Sequence, residues 1–194
     1  MPTMSRFEAG FCRSAPWQLV ARRILLPWAL QGIDPVGDVL EIGAGSGAMA
    51  AELLAAHPDI HMTVTDFDAT MVSTAAQRLT PFADRTTTRQ ADATRLPFDD
   101  DSFDLVLSWI MLHHTIEWEK ALAEAVRVTR PGGKVVGYDL LNTAPLRALH
   151  QAEGARFRMM AFSELREMVR HLPVSQSILT PALTRFAVRF TLCK

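Results

Sequence analysis

Three glycines within five residues close an apolar run in Val39-Leu40-Glu41-Ile42-Gly43-Ala44-Gly45-Ser46-Gly47-Ala48. Glycine adopts turn conformations denied to other residues and lets a second group approach the backbone. A single glycine is enough for an ordinary strand-to-helix turn, so this run reads as such a turn opened towards a ligand. The pattern around it repeats. Short β-branched or apolar runs predict strands over residues 36–42, 60–66, 86–92, 103–110 and 134–141, with helices between them over 46–56, 69–79 and 117–128. Strands alternating with helices specify a doubly wound α/β sheet with parallel crossovers. Leu105, Val106 and Leu107 are consecutive apolar residues, as a central strand covered on both faces requires.

The chain ends differ from this repeat. After a helix over residues 162–171, strands over 174–179 and 185–192 flank Thr180-Pro181-Ala182 and read as a closing β-hairpin. Residues 14–31 read as an N-terminal helical region, with Pro16 tolerated in a first turn and Pro27 a break. At 194 residues and 48% hydrophobic, the chain is expected to bury one core as a single domain: a helical lid over 1–35, a binding core over 36–141, and helices with the hairpin over 142–194.

Charge excludes several partners. Twenty basic residues against 21 acidic ones create no field to hold a nucleic-acid backbone. Cys12 and Cys193 match no metal-ligand spacing, which favours free thiols in a cytoplasmic protein, with a disulfide between them left open. Arg6, Glu8 and Arg13 interrupt any signal-peptide core, and no apolar run reaches the ~18 residues of a membrane span. Asp99, Asp100 and Asp101 are read as a solvated acidic turn, so no metal is expected.

By spacing alone the glycine turn fits two ligands. Gly43-x-Gly45-x-Gly47 suits an S-adenosylmethionine loop, and Gly43-x-Gly45-x-x-Ala48 the G-x-G-x-x-G/A loop of dinucleotide-binding folds. Either way, the helix that follows points its unsatisfied N–H groups at the crevice. Asp66, about 20 residues beyond the glycines, stands where an acid binds ribose hydroxyls. Asp68 is read as a helix N-cap.

Further segments separate the two. "LEIGAGSG", "TDFDATM", "ADATRLPFDDDSFDLVLSWIMLHH" (residues 91–114) and "VRVTRPGGKVV" (126–136) together resemble the class I S-adenosylmethionine-dependent methyltransferases, especially the group containing the ubiquinone and menaquinone biosynthesis methyltransferases. The resemblance covers roughly residues 36–141 and implies a Rossmann-like seven-stranded sheet in the order 3-2-1-4-5-7-6. It implies that Glu41 holds the methionine amino end and that Gly43, Ala44, Gly45 and Gly47 face the cofactor. Asp66 takes the ribose, Phe67 and Met71 pack on adenine, and Asp92 with Ala93 reads the adenine edge, carboxylate to amino group and N–H to ring nitrogen. Ser108 and Trp109 fall where relatives contact the methionine portion and begin the acceptor site, whereas Pro131-Gly132-Gly133 is structural.

Because the cofactor's methyl group is already activated, a catalytic base is optional. The candidates are His113 and His114, with Tyr138 and Asp139 at the end of the fifth strand. Trp17, Leu25, Leu26 and Trp28 before the core, and Phe157, Met159, Met160 and Phe162 after it, are read as lining for a small apolar or aromatic methyl acceptor. Two Trp residues flanking Leu, Ile and Arg22-Arg23 also suit peripheral membrane contact. A catalytically silent cofactor-binding subunit is the competing function. An oxidoreductase is disfavoured by the absence of a recognisable substrate domain, and a nucleic-acid methylase by the absence of a basic stripe.

Overall fold

The computed structural model describes residues 19–30, 32–147, 157–182 and 185–194. Seven strands form one sheet: β1 (Asp38–Ile42), β2 (His61–Asp66), β3 (Thr86–Gln90), β4 (Phe103–Trp109), β5 (Thr129–Leu140), β6 (Gln176–Ala182) and β7 (Ala187–Cys193). Their order is β3-β2-β1-β4-β5-β7-β6, as the family resemblance implied. The first five are parallel, and β7 runs antiparallel to both β5 and β6. The chain leaves β1 in one direction and returns at β4 in the other, which opens a crevice at the carboxyl ends of these two strands.

Strand alternation sorts the core onto two faces. Val39, Leu105 and Leu107 pack with Leu53 and Leu54 of α2 (Ala48–Ala56), Ala75 of α3 (Ala69–Arg78) and Leu26 of α1 (Leu26–Ala29). Leu40, Ile42 and Val106 pack with Trp118 and Leu122 of α4 (Trp118–Val128) and Leu165 of α5 (Phe162–Arg170). Burial on both sides is why Leu105, Val106 and Leu107 can all be apolar.

Several boundaries differ from the expectation. Pro27 does not break the N-terminal helix: a π-helical turn over Ala21–Leu25 leads into α1, with Pro27 in its first turn. The wider turn accommodates a ring that would clash with the carbonyl four residues back in a regular helix. Thr180-Pro181-Ala182 is not the hairpin turn but the end of β6, where Pro181 pairs with Val188. β6 is a sheet edge, the one place where a strand tolerates proline's missing donor. β5 starts at Thr129 rather than residue 134, because the register jumps from Phe103↔Thr129 to Leu105↔Lys134 and leaves residues 130–133 as a bulge. A Cβ on Gly133 would lie 2.7 Å from the Asp104 carbonyl oxygen, so the proline-glycine-glycine turn is structural, as expected.

Candidate functional site

β1 delivers the glycine turn to the crevice. Gly43, Gly45 and Gly47 all take left-handed φ values, +64°, +54° and +71°, which a side chain would disfavour. Two of the three also let neighbouring side chains approach closely. A Cβ on Gly43 would lie 2.7 Å from the Met111 Cβ, and one on Gly47 would lie 3.0 Å from the Ala75 Cβ. The loop is pinned from β2: the Ala44 N–H donates to the Thr65 carbonyl (2.9 Å) and the Gly45 N–H to Asp66 Oδ2 (2.8 Å). Asp66 Oδ1 accepts the Asp68 N–H at 2.9 Å, so this carboxylate orders its own turn as well as the glycine turn. Asp68 caps α3 through a 2.7 Å bond from the Thr70 N–H, as read from sequence.

The electrostatics of this corner are unusual. Glu41 is 1% exposed, and its Oε2 has no hydrogen-bond partner. Burial first, and then the Asp66 charge, push its carboxyl up to about 8. Asp66 is also raised, mainly by burial, with the N–H groups of Asp68 and Gly45 working against the shift. The hydroxyl of Ser108, at the end of β4, is buried without a partner. A buried acid lacking a donor is what an ammonium group would satisfy. The residues therefore fit the amino end of an S-adenosylmethionine-like ligand.

Asp92 ends in a turn, not a strand: its Oδ1 accepts from both the N–H (2.9 Å) and hydroxyl (2.7 Å) of Thr94. β3 accordingly stops at Gln90, two residues earlier than expected. Ala93 is buried in the cluster that holds Met111 and Leu112. Phe67 is exposed at the rim, and Met71 lies half-buried on the first turn of α3.

Beyond β4 the chain bends sharply. Ile110 has φ +49°, a strained conformation for a β-branched residue, and this ends the strand at Trp109. A 3₁₀ turn, Leu112–His114, follows. Asp139 of β5, fully buried, holds that turn by accepting from the Leu112 N–H at Oδ2 (2.6 Å) and contacting His113 Nδ1 through Oδ1 (2.6 Å). His113 is 1% exposed, while the His114 ring, 4.0 Å away by centroid, is half-buried. The structure thus separates two histidines that looked equivalent in sequence and brings Asp139, a base candidate alongside them, into contact with His113. Trp109 and Tyr138 are register partners, which brings the loop after β4 beside residue 139.

The two expected acceptor linings do not converge. Trp28 stacks edge-on against Tyr138 (5.5 Å), and Leu26 is core on the α1 side, whereas Met160 and Phe162 pack in the α4–α5 cluster on the other face. These residues are core packing, although Trp28, Tyr138 and Trp109 form an aromatic group at the strand ends. Trp17 and Cys12 lie outside the described residues, as does Pro16. Asp100 and Asp101 of the acidic turn pair with Arg127 and Lys194, each at 2.7 Å. Among the described residues, no cluster of three or more His, Cys, Asp or Glu is arranged for a metal, and no helix is long and apolar enough to cross a membrane.

Residues 39–133 match the family model described as a methyltransferase domain. A demethylmenaquinone methyltransferase of Clavibacter sepedonicus is 38% identical over 120 residues, which is 62% of this chain and 45% of that protein. One from Mycolicibacterium paratuberculosis is 32% identical over 142 residues, covering 73% of this chain and 57% of the relative. The chain therefore spans about half the length of the relatives it matches. Among solved structures, a SAM-dependent methyltransferase from Aquifex aeolicus superposes with a TM-score of 0.75 at 13% identity, covering 98% of each chain. That likeness is one of fold.

Proposed function

Residues 39–133 belong to the class I S-adenosylmethionine-dependent methyltransferase domain family, and from that premise we propose that the chain transfers a methyl group to a small apolar or aromatic molecule. The observation that carries the reading is the buried, unpartnered Oε2 of Glu41 beside the glycine turn. When bound, S-adenosylmethionine supplies an activated methyl on a sulfonium. Glu41 receives the ammonium of its methionine end, and Ser108 Oγ offers a further polar contact there. Asp66 takes the ribose hydroxyls with the lone pairs left after its backbone bonds. Phe67 and Met71 cover adenine, and Asp92 with Ala93 reads its edge. Gly43, Ala44, Gly45 and Gly47 shape the turn under the methionine portion. His113 or His114 is the base if the acceptor must lose a proton.

For the acceptor, the names of the matched relatives, a demethylmenaquinone methyltransferase and a ubiquinone/menaquinone biosynthesis C-methyltransferase, favour a quinone-type ring. The aromatic group of Trp28, Trp109 and Tyr138 at the strand ends supports a planar apolar molecule. Exposed Leu19, Val20 and Ile24 on the N-terminal helical segment support peripheral contact with a membrane carrying such an acceptor.

Calorimetric titration with S-adenosylhomocysteine, beside NADH, tests the reading without a known acceptor. Saturable binding of the first alone is the expected result. Binding of NADH alone, or of neither, overturns it. Binding without turnover on any of a panel of hydroquinones and phenols would favour the silent cofactor-binding subunit.

A further inference from the structure

Register places four side chains in a row on one face of the sheet. Glu41 of β1 pairs with Leu107 of β4, so Trp109, two residues further along β4, stands on the same face about 7 Å nearer the carboxyl ends. Trp109 pairs with Tyr138 of β5, and Tyr138 with Arg189 of β7. The row from Glu41 through Trp109 and Tyr138 to Arg189 thus runs from the glycine-turn side of the crevice to the hairpin. Ala44 of the glycine turn packs on the same cluster as Trp109. Trp28 of α1 covers the outer half of the row. Its ring is edge-on to Tyr138 at 5.5 Å and lies 5.5 Å from the Arg189 guanidinium, and its carbonyl accepts from Arg189 Nη1 at 2.8 Å. The Tyr138 ring is in turn 5.5 Å from that of Trp109.

Within this row Trp109 is 7% exposed, and its Nε1 is buried with no hydrogen-bond partner among the described residues. An indole N–H donates only and does not titrate, so what it lacks is an oxygen. A buried donor left without an acceptor is costly and calls for an explanation. The rings beside it suit a flat ligand. A flat ring that carries an acceptor oxygen answers both needs.

We infer that Trp109 is a specificity-determining residue: its Nε1–H donates to a ring oxygen of the methyl acceptor, whose ring reaches that donor by displacing Trp28 from Tyr138. The inference rests on the methyltransferase reading and deepens it, because such a donor selects an oxygen-bearing ring over a hydrocarbon of the same outline. Trp28 is the movable member of the group. It is half-buried, on a four-residue helix that follows a π-helical turn, so few backbone bonds are lost when it swings out. Glu41 calls for an ammonium and Trp109 for an oxygen, which sorts cofactor and acceptor to adjoining places on one face. The indole proton stays on nitrogen throughout.

The test uses the full chain with S-adenosylhomocysteine bound. Duroquinone is the probe, since its fully substituted ring cannot add to a cysteine thiol, and durene, the same outline without oxygens, is the control. Proton–nitrogen spectra resolve the indole N–H signals of the four tryptophans, each assigned by replacement with phenylalanine. Duroquinone should move the Trp109 signal downfield, and durene should not. Trp118, whose Nε1 is also unpartnered but which is 0% exposed in the cluster on the other face, should not respond to either. Trp109→Phe should bind duroquinone about tenfold more weakly and durene as before, a split that lost packing alone would not give. Trp28→Ala should bind duroquinone faster. An unmoved Trp109 signal, or equal weakening of both ligands in a folded Trp109→Phe protein, would overturn the inference. So would a downfield move on adding S-adenosylhomocysteine alone, which would assign the donor to that ligand's carboxylate. Unchanged or slower binding by Trp28→Ala would overturn the entry route. The wild-type spectra keep the inference falsifiable even if Trp109→Phe fails to fold. Failure of the methyltransferase reading is separate, since it appears as a lack of S-adenosylhomocysteine binding before any probe is added.

Discussion

Glu41→Gln isolates the energetic cost of the acid under the glycine turn. The side chain is 1% exposed with one oxygen unpartnered, and its carboxyl is pushed up to about 8 from an ordinary 4.5. Between those two values the folded protein holds a proton that the unfolded chain has released, so stability falls as pH rises through that window. Each pH unit inside it costs up to about 1.4 kcal/mol, and the loss levels off above the folded value. From pH 6 to pH 9 the wild type should therefore lose about 2–3 kcal/mol from this group alone. Glutamine keeps the shape and cannot ionise. Urea unfolding of both proteins across that range should give a variant whose stability declines less, with equal slopes against denaturant. Calorimetry adds a second reading: near pH 7, taking up an ammonium-bearing ligand should release about one proton in the wild type and none in the variant. Parallel pH profiles for the two proteins would refute the reasoning, because Glu41 would then be ionised in the fold or relieved by a donor.

Asp66→Ala should weaken S-adenosylhomocysteine binding at least about tenfold by calorimetry, since it removes the ribose contact and the acceptor of the Gly45 N–H together. The domain should still unfold cooperatively. Gly47→Ala should destabilise by about 1–3 kcal/mol in denaturant titrations, because φ is +71° and the new Cβ would crowd Ala75 at 3.0 Å. Phe190→Ala, at a fully buried β7 position packed against Gly137, should cost about 3–5 kcal/mol by the same measurement.

What could be read from residues alone follows from the range of the interactions involved. β1, β2 and β4 and the helices after them are set by local pattern, and their observed limits differ from the expected ones by only a residue or two. The strand order came from the resemblance, not from periodicity, which carries no information about neighbours. The errors arose where a contact distant in sequence decides. Asp92 looked like the end of a strand, but its carboxylate turns back on Thr94. The close approach of Met111 to Gly43, set by the strained bend at Ile110, is invisible in the sequence. His113 and His114 are adjacent letters, and only the return of β5 brings Asp139 to one of them. Leu26 and Met160 are equally apolar in sequence, but the sheet lies between the clusters they join.

The proline in β6 bears on how the protein behaves among copies of itself. The other outer strand, β3, carries Thr86, Thr87, Thr88, Arg89 and Gln90, polar throughout. β6 is more exposed to risk, since Ile178 lies 47% open on a seven-residue strand whose outer rim could template another chain. Pro181 interrupts that rim near its end by removing one donor from the ladder an incoming strand would need. Replacing it would leave the fold nearly intact and give the sheet a longer edge on which to grow, so this residue guards solubility more than it guards structure.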